Sequence, residues 1–197
     1  MKRIFTIMHF LVISFSFSQN NIKPKSYEIS ICGKPQTVFL EEYENQVFIG
    51  YIETILTKTD EFSCENIEEK IINKNYLSSQ TVKELITELG AGGIDSLINC
   101  NEDEDCRNQA FLDGDSVYFT ITDQYSNKRL GYQSIFAESE SFEHEKTELR
   151  RKVQVLLTII DKKLNLKNQF QTFVKSLEKA MYCYWSGTTE CCIDKQK

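Results

Sequence analysis

The chain has 197 residues, of which 41% are hydrophobic, 26% charged and 12% aromatic. That is the make-up of one globular domain, and it excludes a collagen-like fibre, a disordered tail and a polytopic membrane protein. The formal net charge of −6 disfavours nucleic acid and anionic membrane surfaces as partners.

At the N-terminus, Lys2 and Arg3 precede a mostly apolar run over residues 4–17, broken by Thr6, His9, Ser14 and Ser16. Ser16-Phe17-Ser18 then offers small residues at both positions that signal peptidase reads. Residues 1–18 are therefore expected to be a cleaved signal peptide, and residues 19–197 a single α+β domain. The run is short against the ~20 residues that span a bilayer, so no stable membrane insertion is expected after cleavage. The expected location is secreted or periplasmic. Without residues 1–18 the chain carries 21 basic and 29 acidic residues, a net charge of −8, and His144 is its one histidine.

Beyond that segment, residues 26–32 place Tyr27, Ile29 and Ile31 alternately with polar residues, the period of a strand. Gly33-Lys34-Pro35 reads as a turn into residues 36–43, where Val38 and Leu40 share a face. Residues 47–57 are apolar on both faces, which predicts a central strand covered on both sides. Residues 66–74 fit a helix and a strand equally.

Val82, Leu85, Ile86 and Leu89 form a helical stripe, with a capping-box pattern at Thr81 and a stop at Gly90. An acidic stretch over residues 101–105 follows, and then residues 116–122 and 129–136 read as a hairpin. Ser141 is the expected N-cap of an acidic helix start. Two stripes come next: Leu149, Val153, Leu156, Ile160 and Leu164, then Phe170, Phe173, Val174, Leu177 and Met181. The expected architecture is α+β: an antiparallel sheet of about five strands, covered on one face by these two C-terminal amphipathic helices and stapled by disulfides.

The staples come from Cys32, Cys64, Cys100, Cys106, Cys183, Cys191 and Cys192. In an exported chain these read as disulfides, and an odd number leaves at least one thiol free. Short separation favours Cys100 with Cys106, and Cys183 with Cys191 or Cys192. Cys32 and Cys64 remain as a longer staple. No C-x2-C pair or neighbouring histidine supports a zinc or copper site.

Catalytic signatures fail one after another. Gly90-Ala91-Gly92-Gly93 follows a helix and not a strand, and Asp95 stands where a dinucleotide fingerprint needs its third glycine. Asn101, Asp103 and Asp105 have the odd-position oxygens of a calcium loop, but Cys106 and Leu112 occupy its glycine and bidentate-glutamate positions. His144, between Glu143 and Glu145, is expected in water. No cofactor is expected. The functional expectation is an acidic exported binding protein, of inhibitor or immunity type, against a basic protein partner. Tyr184 and Trp185 would anchor it, and Asp103 and Asp105 would steer it. The alternative is a small extracytoplasmic hydrolase using paired carboxylates.

Overall fold

The computed structural model describes residues 24–59, 69–109, 114–141 and 143–195. The signal-peptide segment and Cys64 lie outside these described residues.

Eight strands form one antiparallel sheet: β1 (Lys25–Ser30), β2 (Gln36–Tyr43), β3 (Val47–Thr59), β4 (Glu69–Tyr76), β5 (Ser116–Thr122), β6 (Asn127–Gln133), β7 (Met181–Ser186) and β8 (Thr189–Asp194). Their order is β6-β5-β1-β2-β3-β7-β8, with β4 also paired to β3. Thr57 and Lys58 pair with both β4 and β7, so β7 occupies the edge of β3 that β2 leaves after Thr54. The sheet curls into a half-barrel. The helices are few: α1 (Ser79–Ala91), a single turn α2 (Glu104–Arg107), α3 (Glu148–Leu164) and α4 (Leu166–Ser176).

The inner face is set by strand alternation. Tyr27 and Ile29, Val38 and Leu40, Ile52, Val117 and Phe119, and Tyr132 all point inward and are buried. Two helices fill the curve: α1 through Val82, Leu85 and Leu89, and α3 through Val153, Leu156 and Ile160. A Cβ on Gly50 would come within 2.8 Å of both the Phe39 carbonyl oxygen and Val82 Cγ2, so only glycine lets α1 approach β3 this closely. A second, smaller core gathers Leu56, Ala180 and Tyr182 beneath Phe170, Phe173 and Leu177.

This architecture corrects the expected α+β fold of about five strands under two C-terminal helices. The described residues are mostly sheet, with eight strands. The helix paired with α3 over the main core is α1. The only buried side chain of α4 is Leu166, and α4 ends at Ser176. Met181, expected on a helical stripe, opens β7, and the expected C-terminal loop is a β-hairpin. Residues 69–76 are a strand, β4, which resolves the ambiguous segment where it is described. The outer face of β3 is only partly covered, because both helices of the main core lie on the other side.

The helix ends also differ from expectation. Ser78 caps α1, accepting from Thr81 N at 3.1 Å, and Gly92 closes it. Thr147, not Ser141, precedes α3. Asn165 has a left-handed backbone (φ 49°), ends α3 and caps α4 by accepting from Asn168 N at 3.3 Å.

Among the described residues two disulfides form, Cys100–Cys106 and Cys183–Cys192. The first ties a short 3-10 turn (Cys100–Glu102) to α2, and the second crosses the β7–β8 hairpin. Cys32 is a free, buried thiol and Cys191 a free, half-buried one. The longer staple expected through Cys32 is therefore not made. Burial pushes the Cys32 thiol up to about 12, helped by the nearby Asp115 charge.

Candidate functional site

The side chains between the buried ones form an outer face that no helix of the main core covers. Register aligns Arg129, Thr120, Glu28, Phe39, Tyr51 and Tyr76 in one row across β6, β5, β1, β2, β3 and β4. The rings of Phe39 and Tyr51 stack with centroids 4.7 Å apart, and Tyr76 tilts against Tyr51 at 5.8 Å. Tyr76 is 71% exposed. Of the large hydrophobic side chains left exposed, Tyr43, Val47, Ile49, Ile72, Tyr76 and Tyr118 all lie on this face.

The charges on this face are arranged around the rings. Lys74 Nζ sits 4.6 Å from the Tyr51 centroid, and the Arg129 guanidinium 4.6 Å from that of Tyr118. Lys74 also pairs with Glu53 at 3.1 Å. Glu41 accepts from the Tyr43 hydroxyl at 2.8 Å and raises its pKa. Glu28 has no hydrogen-bond or ionic partner among the described residues. Between them lies a depression of about 290 Å³, lined by Glu28, Phe39, Glu41, Tyr51, Thr120 and Thr122.

The sequence-predicted binding residues fall in three places. Cys183 pairs with Thr57 on the outer face, so Trp185, two residues on, faces the same side, and it is 68% exposed. Tyr184 faces inward, where its ring meets Phe170 edge-on at 6.1 Å. Asp103 caps α2, accepting from Cys106 N at 2.7 Å, and Asp105 is exposed on that turn. Cys106 packs into the main core on the inner side, so this acidic turn does not share a face with Trp185. His144 is 81% exposed, with Nδ1 3.9 Å from Glu138 Oε1.

Three polar features escape a reading of the sequence. Arg150, inside the α3 stripe, is 2% exposed and forks onto Glu145. Asp115 ties the β1–β2 turn to the end of β7: its Oδ2 accepts from Gly33 N at 2.7 Å and from Ser186 Oγ at 3.4 Å, and its Oδ1 from Ser116 N at 2.7 Å. Tyr27 donates to Asp95 Oδ1 at 2.9 Å, and burial pushes its phenol up to about 12. The faint sequence signal for Arg150 was a charged residue beside Leu149 on an apolar stripe. Asp115 had none beyond its place at a strand start.

Cys183, Glu190 and Cys192 bring ligand atoms within 4.8 Å of one another, but both sulfurs are spent in a disulfide and cannot act as thiolate ligands. No helix among the described residues is long and apolar enough to cross a membrane. No protein-family profile, no curated protein and no solved structure matches this chain.

Proposed function

We propose that this is an exported binding protein whose outer sheet face takes a basic segment of a protein partner. The observation that carries the reading is the depression between Glu28, Phe39, Tyr51 and Glu41. Stacked rings beside an unneutralised carboxylate suit an arginine or lysine side chain, which gains a cation–π contact and an ion pair at once. The face already holds such contacts internally, with Lys74 on Tyr51 and Arg129 on Tyr118. The acidic net charge favours encounter with a basic partner. Trp185 extends the same face as an exposed aromatic anchor, whereas Tyr184 is committed to packing against Phe170. Two disulfides and the N-terminal sequence support export.

The test is a titration of the chain with acetyl-arginine amide, with acetyl-glutamate amide as control, followed by NMR. Shifts should concentrate at Glu28, Phe39, Tyr51 and Thr120 for the cation alone and vanish in Glu28→Gln/Glu41→Gln. Equal response to both probes, or shifts elsewhere, would refute the assignment.

The hydrolase reading has less to stand on. Glu145 and Glu143 do line one surface cavity, but Glu145 is held by both of its oxygens on Arg150. A groove of about 460 Å³ between β4 and α4 has no carboxylate among the described residues of its wall.

A further inference from the structure

Strand β4 serves two faces. Lys74 and Tyr76 point outward, while Asn73 and Asn75 pair with Thr54 and Ile52 and point inward. There they meet α4 across an open groove of about 460 Å³, within the ~300–1,000 Å³ typical of small-molecule sites. Its floor is Ile52 and Thr54, and its α4 wall carries Asn168, Gln169, Thr172, Phe173 and Ser176.

Several polar side chains of this groove make no hydrogen bond with another described residue. Thr54 is 3% exposed, and its hydroxyl makes no hydrogen bond with any described residue. The side-chain amides of Asn73 and Asn168 are likewise without partners among the described residues. Gln169 is the exception: its Oε1 accepts from Asn75 at 2.7 Å and its Nε2 donates to the Leu164 carbonyl at 2.6 Å, which fixes one end of the groove. Behind the floor, Gln36 stands opposite Thr54 in the register, and its buried Oε1 also lacks a partner.

The chemistry of this lining selects a ligand class. Each amide offers two donors and an acceptor, and each hydroxyl offers both roles. Among the described residues no carboxylate or guanidinium lines the groove, and the cation at its edge, Lys74, points to the outer face and is engaged with Glu53. A charged ligand finds no counter-charge, whereas neutral hydroxyls that donate and accept find several partners. Phe173 and Ile52 supply an apolar surface for carbon-bound faces of the same ligand.

We propose that the groove between β4 and α4 binds a short neutral saccharide, with Thr54, Asn73 and Asn168 making the polar contacts. This site is on the opposite side of the sheet from the proposed basic-partner face and does not depend on it.

The experiment is saturation-transfer NMR on the oxidised chain with maltotriose, cellotriose and chitotriose, and with trigalacturonate as the charged control. At least one neutral trisaccharide should bind in the millimolar range or tighter, and trigalacturonate should not. Thr54→Val, which keeps the shape and removes the hydroxyl, and Asn168→Ala, on the helix surface, should each weaken that binding about tenfold, ~1.4 kcal/mol. Trp185→Ala and Glu28→Gln should leave it unchanged. Circular dichroism of each variant separates lost binding from lost fold. If none of the three neutral sugars binds, or if both groove variants bind as tightly as the parent, the proposal is wrong.

Discussion

Arg150 and Glu145 form a fork-to-fork pair at the head of α3: Nε donates to Oε2 at 2.6 Å and Nη2 to Oε1 at 2.8 Å. A further bond runs from Nη1 to the Gln133 carbonyl at 2.9 Å, so the guanidinium also fastens the end of β6. Glu145 stands just before α3 and is only partly exposed, which protects the pair from solvent screening.

Removing one partner should therefore hurt more than removing both. Glu145→Ala takes away the carboxylate that forks the buried Arg150 and should cost about 3–5 kcal/mol in urea denaturation. The double variant Glu145→Leu/Arg150→Met should recover more than half of that loss. A double variant as unstable as Glu145→Ala would show that the pair contributes net stability of its own.

The two cores should respond unequally to truncation. Leu156 is fully buried in the main core, and Leu156→Ala should cost about 2–5 kcal/mol. Phe173 is half-buried in the groove wall, so Phe173→Ala should cost less than ~2 kcal/mol by its smaller burial. Denaturation midpoints of the two variants, at equal slope, decide the point.

Alkaline pH should destabilise the fold in a defined window. Burial raises Cys32 from 9.0 and Tyr27 from 10.0, each to about 12. The folded state thus holds protons that the unfolded chain releases. Their stabilisation is complete below about pH 9 and is lost as pH rises towards 12. Stability measured from pH 8 to pH 12 should fall through that window, and Cys32→Ala/Tyr27→Phe should flatten the fall.

Trp185 separates binding from folding. Its ring is largely exposed at the end of β7, so Trp185→Ala should leave the melting temperature within about 2 °C of the parent, as surface changes do. On the proposed face it should raise the dissociation rate of a bound basic partner. A melting shift as large as that of Leu156→Ala would place the ring in the core.

Where one element decides its own periodicity, the sequence could be read directly. The alternation at Tyr27 and Ile29, the hairpin expected over residues 116–122 and 129–136, whose second strand runs instead over Asn127–Gln133, and the stripe of α3 all appear in the structure. Where two readings share one pattern, neighbours decided. Leu177 and Met181 fit a helical stripe with Phe173, but Tyr182 and Tyr184 also alternate as a strand, and the open edge of β3 selects the strand. The outer row from Arg129 to Tyr76 was illegible for a different reason. Its members come from six strands, and only register brings them side by side. The same holds for Asp115 and Gly33, whose contact is a property of the closed sheet. The groove could not be foreseen either, because Asn73 and Asn168 read separately as surface amides.

The edge of β3 shared by β2 and β7 fixes an order of assembly. Among the described residues of β3, Thr57, Lys58 and Thr59 receive the C-terminal hairpin, and they wait for residues more than half a chain length away. Such non-local pairing slows folding, and a chain stalled during synthesis before Met181 would present an unpaired strand edge next to the uncovered Leu56. Truncation within the last hairpin should therefore yield an aggregating species, and not merely a protein with a shorter tail.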